Sequence, residues 1–216
     1  MGKAAAKAEA LPGFVMVGKR GTKRAMEGAA RAGKRRKPRP PLDADSLREL
    51  ALAYVGRYST TRAKLAAYLR RKLRERGWHE AAEPGVEALA ERFAEQGYVD
   101  DSGYALAKSR SLSERGFGAM RVRQSLRAAG VGESDGAAGR ELAEAQAVEA
   151  ALRFARRRRI GPYAAAKPDR AARDKAIAAM LRAGHGFGLS RAIVDLDPGT
   201  EPDLEEMAEK LTQVAS

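Results

Sequence analysis

Residues 97–105 of this sequence read GYVDDSGYA, and this stretch separates two groups of helices. Gly97 can end one helix, because glycine tolerates the left-handed backbone conformation found just past many helix ends. Asp100 and Asp101 can begin the next helix, because carboxylates accept hydrogen bonds from the free amide groups of a first turn and favour its positive end. The stretch therefore predicts a boundary between two helical units.

Three amphipathic helices are predicted before this boundary. Their apolar residues recur at three- and four-residue spacing, which is the period of one helix face. The three apolar stripes are Leu47, Leu50, Ala51 and Tyr54; Leu65, Leu69 and Leu73; and Val86, Leu89 and Phe93. Residues 59–61, Ser-Thr-Thr, supply an N-cap for the middle helix, and Gly77 ends it.

The helical pattern restarts after the boundary. A helix with Tyr104, Ala107 and Leu112 on its apolar stripe runs to a break at residues 116–118, and a shorter helix buries Val122 and Leu126. A further helix is predicted over residues 133–143, where Gly136 and Gly139 weaken it, and a long helical pattern follows through Leu142, Val148, Leu152 and Ala155. Another helix is predicted over residues 169–183, and a short one after Ser190 buries Ile193 and Val194. The last amphipathic pattern runs through Leu204, Met207, Leu211 and Val214.

A loose repeat underlies this pattern. Glycines end the middle helix of each predicted unit at Gly77, Gly130 and Gly184, which are 53 and 54 residues apart. No useful length of sequence alternates with period two, so a sheet is not expected. The predicted fold is all-α, a tandem array of three three-helix modules over residues 42–98, 99–143 and 144–198. A C-terminal helix is predicted over residues 199–216.

The positive charge is concentrated at the N-terminus. The formal net charge is +13, yet residues 1–41 hold twelve Lys or Arg against two acids, which leaves the other 175 residues nearly balanced at +3. Residues 1–41 contain little apolar material, so a disordered basic tail is predicted there. A secretory signal needs a longer apolar region than this tail has, whereas an organellar transit peptide stays compatible with its composition.

Composition also excludes several classes of site. The sequence has no cysteine, which excludes disulfides, thiolate metal sites and cysteine nucleophiles and fits a cytoplasmic protein. No apolar run approaches the roughly 20 residues of a membrane-spanning helix, so no membrane contact is expected. The glycine-rich stretch 184–188 lacks a preceding strand and is predicted to be a helix stop and turn. His79 and His185 lack neighbouring ligands, and Asp100 and Asp101 are interpreted as caps rather than as a metal or acid–base pair. No catalytic, cofactor-binding or metal-binding residue is predicted, and no enzyme is expected.

Clustered cations are the candidate contact residues. On each helix the apolar stripe faces the core, so these cations are expected to project outward. They could contact phosphates or an acidic protein surface, or they could form a solvated face paired with Glu75, Glu80 or Glu83. The candidates are Arg57, Arg70, Arg71, Lys72, Arg74, Arg115, Arg121, Arg123, Arg127, Arg156, Arg157, Arg158 and Arg159.

The same motifs carry a family resemblance over residues 45–198. Residues 51–59, ALAYVGRYS, followed by Leu65, Leu69, Leu73 and Gly77-Trp78, look like the first module of RecX regulatory proteins. Residues 97–105 resemble the junction that follows that module. A second-module signature is carried by Arg115-Gly116-Phe117-Gly118, Arg121-Val122, Leu126 and Gly130-Val131, and a fainter third module by Lys175, Leu181 and residues 184–187.

The resemblance implies a function as well as a fold. It implies an elongated cytoplasmic protein of helix-turn-helix-like modules that lies along the RecA recombinase–DNA filament and modulates, usually inhibits, recombination. A monomer that contacts single- or double-stranded DNA without sequence preference is expected, and no cofactor or catalytic residue comes with the family. A free-standing DNA-binding protein of helix-turn-helix type is the alternative. A more basic body would be expected for that alternative, so the nearly balanced charge favours the filament regulator.

Overall fold

The computed structural model of the chain describes residues 39–205, 207 and 208. The predicted disordered tail lies outside the described residues apart from its last three positions. Of the predicted C-terminal helix, residues 204, 205, 207 and 208 are described and helical, and Met207 is buried.

Helices dominate the described residues, which contain no β-strand and a single isolated parallel bridge between Leu42 and Trp78. The all-α prediction is confirmed. A 3-10 turn spans Gly161–Tyr163. The α-helices are α1 (Ala44–Val55), α2 (Arg62–Arg76), α3 (Val86–Glu95), α4 (Asp101–Glu114), α5 (Ala119–Ala128), α6 (Ala137–Ala145), α7 (Ala147–Arg158), α8 (Arg170–Arg182) and α9 (Phe187–Val194).

The predicted start and stop signals operate at both ends of α2. The Thr61 hydroxyl accepts a hydrogen bond from the Lys64 amide at 3.2 Å, so Thr61 is the N-cap. Gly77, Gly130 and Gly184 follow the middle helices of the three modules and have φ values of 83°, 70° and 94°. An L side chain rarely adopts such values, which explains why the repeat is marked by glycine.

Three buried apolar clusters follow one another along the chain. The first is built by α1–α3 around Leu65, Leu69 and Phe93, the second by α4–α6 and the third by α7–α9. The second cluster is small: its buried members are Ala105, Leu112, Val122, Leu126 and Ala143. This arrangement is the predicted tandem array of three-helix modules, called modules one, two and three below. The predicted residue ends of the modules stay predictions.

The buried face of α4 differs from the predicted stripe. Ala107 is exposed, and the side that faces inward carries Ala105, Ser109 and Leu112. Gly139 of α6 explains the difference, because a Cβ atom there would lie 2.8 Å from the Ser109 hydroxyl and 3.0 Å from the Ala105 carbonyl oxygen. Small residues on both helices allow close packing, so Gly139 serves the contact rather than merely weakening α6.

Three predicted helix limits were also wrong. Residues 133–136 form a turn, and α6 begins only at Ala137. The continuous pattern through Leu142 and Val148 is divided between α6 and α7 at Gln146, whose φ of −92° and ψ of 11° leave the helical region. Helix α9 begins at Phe187 rather than after Ser190.

A polar cluster around Arg62 joins module one to module two. The buried Asp101 carboxylate accepts a hydrogen bond from the Arg62 backbone amide at 2.9 Å and another from its Nε at 3.3 Å. The same guanidinium group reaches Glu91 at 3.1 Å and also pairs with Asp135. The hydrogen bond to Asp101 raises the pKa of the Arg62 guanidinium group above its ordinary value. Asp100 caps α4 as predicted, with its carboxylate 2.8 Å from the Gly103 amide, whereas Asp101 binds the first amide of α2 instead of capping its own helix.

Modules two and three meet through their backbones. The Gly118 amide donates to the Ala183 carbonyl at 3.0 Å, and the Met120 amide donates to the Gly184 carbonyl at 3.1 Å. A Cβ atom on Gly118 would lie 2.2 Å from the Gly184 carbonyl oxygen. Two turns therefore touch, the one between α4 and α5 and the one between α8 and α9.

His185 is buried at this contact and is only 3% exposed. Its Nε2 lies 3.2 Å from the Gly116 carbonyl oxygen, and its ring centroid lies 5.6 Å from that of Phe154. Burial lowers the pKa of His185 to about 4, so the imidazole is neutral at pH 7 and its Nε2–H donates to Gly116. The glycine-rich stretch around it forms the turn between α8 and α9, as predicted.

Candidate partner-binding surface

All thirteen candidate cations lie in the described part of the chain. Twelve are exposed and Lys72 is half-buried, which agrees with the expected outward projection. Eleven of them fall into three groups on the surface, whereas the exposed Arg70 and Arg74 of α2 belong to none of these groups. We call these the tyrosine groove of module one, the α5 surface of module two and the arginine junction between modules two and three.

The tyrosine groove lies between α1 and α2. Two of its rings, those of Tyr54 and Tyr68, are stacked with centroids 4.2 Å apart and planes inclined by 16°. The guanidinium carbon of Arg71 lies 5.5 Å from the Tyr68 centroid, a distance typical of a cation–π contact. The groove is lined by Ala53, Tyr54, Arg57, Tyr58, Tyr68, Arg71 and Lys72.

The cations of α2 do not share one face. Arg70 pairs with Glu87 of α3. Arg71 and Lys72 both pair with Glu75, with Arg71 Nε at 3.7 Å from its carboxylate, and the hydrogen bond from Lys72 lowers the pKa of Glu75. The predicted pairing with Glu75 is therefore found for Arg71 and Lys72, whereas Arg70 pairs with an acid that the prediction did not name.

The α5 surface combines charge with exposed apolar side chains. Arg121 and Arg127 line a groove between α5 and the end of α8, together with the exposed Met120 and Leu181. Arg123 reaches Glu144 of α6 at 3.2 Å. A partner that docks here would meet both apolar side chains and cations.

The arginine junction unites residues that are far apart in sequence. A guanidinium nitrogen of Arg157 donates to the backbone carbonyl of Arg115 at 2.7 Å. The Arg156 guanidinium carbon lies 5.0 Å from the Tyr163 ring centroid, and Arg159 ends α7 in the left-handed conformation with a φ of 55°. The fold thus places Arg115 beside the block of residues 156–159.

Comparison with known proteins identifies the family. A protein named Regulatory protein RecX from Myxococcus xanthus is 30% identical over 162 residues, which cover 70% of this chain and 86% of that protein. The protein of the same name from Halorhodospira halophila is 34% identical over 118 residues, which cover 54% of this chain and 68% of that one. The chain belongs to the RecX family of regulatory proteins. No protein-family model matches the sequence.

Solved RecX structures share the fold of this family member. The crystal structure of RecX from Lactobacillus salivarius aligns with a TM-score of 0.55 at 17% identity and covers 70% of this chain and 94% of that one. A crystal structure described as regulatory protein RecX aligns with a TM-score of 0.52 at 23% identity and covers 70% and 71% of the two chains. At such identities the likeness concerns the fold alone.

Sequence reasoning missed part of this surface. The tyrosine groove depends on Tyr58, which follows the end of α1 and therefore occupies no position of a helical period. Trp78 and Phe117 pack against the apolar clusters, whereas Tyr98 is 54% exposed beside Phe93. An exposed Met120 likewise gave no signal, because a single apolar residue at the start of a helix resembles any core residue.

The described residues contain no group of three or more His, Asp or Glu side chains placed to hold a metal ion. None of their helices is long and apolar enough to cross a membrane.

Proposed function

We propose that this RecX family member binds the RecA recombinase–DNA filament in the cytoplasm as a monomer and inhibits its ATPase and strand-exchange activity without catalysing a reaction. The observation that carries the proposal is the succession of three exposed cationic surfaces on modules whose junctions are fixed. Each junction holds its modules by direct contacts, through Arg62 at the first and through Gly118 and His185 at the second. The spacing between the three surfaces is therefore fixed by the module junctions, and such a spacing suits a filament of repeating subunits.

Mixed charge supports a partner made of both protein and DNA. Outside residues 1–41 the chain is nearly balanced, and several surface cations sit beside acids, as Arg123 does beside Glu144 at 3.2 Å. A ligand that spans neighbouring recombinase subunits favours the filament state that it binds best. Such binding would obstruct strand exchange and the addition of further subunits.

The test is suppression of DNA-dependent ATP hydrolysis by the cognate recombinase. A triple variant with Arg121→Gln, Arg123→Gln and Arg127→Gln removes the charge of the α5 surface. The concentration for half-maximal suppression is expected to rise about tenfold, since three exposed charge contacts each contribute a few tenths of a kcal/mol to about one.

A matched triple variant uses exposed cations outside the three surfaces: Arg48→Gln, Arg92→Gln and Arg170→Gln. It removes the same charge and is expected to suppress like the wild type. An equal loss in both triple variants would show that only net charge matters, and the α5 surface would then have no specific role.

The basic residues 1–41 favour the second candidate, a free-standing DNA-binding protein of helix-turn-helix type. The same assay separates the two functions. A filament regulator suppresses ATP hydrolysis well below the concentration that coats bare DNA, and it does so without residues 1–38. A protein that competes for the DNA lattice suppresses only when the DNA is saturated.

A further inference from the structure

We propose that the tyrosine groove is a stacking site for a base of single-stranded nucleic acid. The site goes beyond the proposed function, because it requires no recombinase. It also has a different basis from that of the other cationic surfaces, since its centre is a set of aromatic rings.

One ring of the groove, that of Tyr58, is exposed. Tyr54 stacks on Tyr68 at 4.2 Å and lies 5.2 Å from Tyr58, so the first two rings support the third. Tyr58 is nevertheless 58% exposed. Because the neighbouring rings already hold Tyr58, its side chain has little conformational freedom left to lose on binding. A nucleobase suits such a ring, because every base has a flat face that can stack on it.

Cations line the groove that holds the exposed ring. Arg71 and Lys72 lie 5.5 Å and 5.7 Å from the Tyr68 centroid, so they cover that ring and leave Tyr58 as the free one. Arg57 lies beside them in the groove. Among the ion pairs of the described residues, one carboxylate, that of Glu75, pairs with Arg71 and Lys72, and none pairs with Arg57. The surplus positive charge attracts the phosphates that flank a stacked base.

The geometry favours a single strand over a duplex. The groove has a volume of about 370 Å³, which is within the range of small-ligand sites and suits one nucleotide. In a duplex both faces of each base are occupied by its neighbours, and extruding a base costs a few kcal/mol. A single strand offers unstacked bases without that cost, and an aromatic ring accepts any of them.

The experiment measures binding of the full chain to two fluorescein-labelled oligonucleotides of about 15 residues by fluorescence anisotropy. One is oligo-dT and the other is an abasic strand of equal length and charge. Tyr58→Ala is expected to weaken dT binding by about 5- to 100-fold, the range for loss of one stacking contact, and to leave abasic binding unchanged. Residues 1–41 attract both strands equally, so the difference between the strands isolates stacking.

Two control variants sharpen the test. Tyr58→Phe keeps the ring and is expected to bind dT like the wild type. Tyr98→Ala removes a tyrosine of module one that is 54% exposed and lies outside the groove, and it is expected to change neither affinity. Wild-type dT binding by Tyr58→Ala, or an equal loss on both strands, would overturn the stacking site.

A further variant tests whether the positive charge of the groove contributes to binding. Arg71→Gln is expected to weaken dT and abasic binding by the same factor, because it removes a phosphate contact rather than a ring. A larger loss on dT than on the abasic strand would show that Arg71 acts on the base and would contradict a phosphate contact. None of these outcomes depends on ATP hydrolysis, so they leave the filament-regulator proposal to its own test.

Discussion

His185 couples the stability of the protein to pH. Its pKa is near 6.5 in an unfolded chain and about 4 in the fold, because burial disfavours the charged ring. Between these values the unfolded state binds more protons, so the free energy of unfolding falls as the pH falls. We expect a loss of about 2 kcal/mol from this residue between pH 7 and pH 5, measured by urea denaturation.

His185→Gln tests the assignment. The glutamine amide can still donate toward the Gly116 carbonyl but takes up no proton, so this variant should lose the pH-dependent part. His79→Gln replaces the other histidine, which is exposed, and should keep the wild-type profile. Parallel pH profiles for wild type and His185→Gln would contradict the role of His185.

Gly118 tests the contact between modules two and three. Gly118→Ala would place a methyl group 2.2 Å from the Gly184 carbonyl oxygen, so two hydrogen-bonded backbones would have to separate. We expect a loss of about 2–4 kcal/mol in the free energy of unfolding, a magnitude typical of overpacking combined with lost hydrogen bonds.

Gly186→Ala is the matched control for this loss. Gly186 is also the N-cap of a helix, with an extended backbone like that of Gly118, and no atom lies within 4 Å of a Cβ placed there. Replacing an N-cap glycine by alanine lowers the free energy of unfolding by about 1 kcal/mol, and this loss is common to both variants. Equal destabilisation of the two would show that capping, and not the close approach, accounts for the effect.

Single residues were predictable where the cause is local. Thr61 and Asp100 cap helices because of their own side chains and the amides three residues ahead, and both were predicted from sequence. Asp101 was misread, because its partner Arg62 is 39 residues away and becomes a neighbour only when the modules pack. Tyr58 was missed for the same kind of reason, since its exposure depends on the rings beside it.

At the level of the helices, Arg62 determines how α2 is held against α4. Arg62→Ala leaves the buried Asp101 carboxylate without its guanidinium partner and is expected to cost about 1–3 kcal/mol in the free energy of unfolding. Arg70→Ala is the control from the same helix, because its exposed pair with Glu87 is worth about 0.5 kcal/mol. Urea denaturation compares them, and equal losses would rule out a special role for Arg62.

The helices themselves were predictable where large apolar residues mark one face. Leu65 and Leu69 of α2 and Val86 and Phe93 of α3 fall on the predicted faces and are buried. Helix α4 defeated the same reasoning, because its inward face carries alanine and serine and its contact is fixed by Gly139 of a later helix. Periodicity reports side-chain size and polarity, and it gives little signal where the backbones themselves come close.

For the whole molecule, the basic residues 1–38 should dominate attraction to bare DNA. They contain eleven Lys or Arg and two acids. Each neutralised phosphate contributes about 0.9 to the slope of log affinity against log salt for a duplex, so their removal should lower that slope by several units. Fluorescence anisotropy with a random duplex over a range of salt concentrations gives the slope, and an unchanged slope would place the DNA contacts on the body.

The arrangement of modules was predictable from repeated helix-ending glycines and from the resemblance to RecX proteins. The grouping of the exposed cations into three surfaces was not predictable. Arg115 and Arg157 meet because α7 packs against the turn after α4, and Arg121 faces Leu181 because α8 ends beside α5. A linear sequence shows which residues are exposed more readily than which exposed residues share a surface.

The first apolar cluster has a consequence for the order of folding. All of its buried members lie between Leu42 and Val99, so module one needs no residue from the second half of the chain to complete its core. Domains form from the N-terminus as the ribosome delivers the chain, at about 5–20 residues per second. Module one can therefore be folded several seconds before Gly184 and His185 leave the ribosome and the α4–α5 turn gains its last contacts.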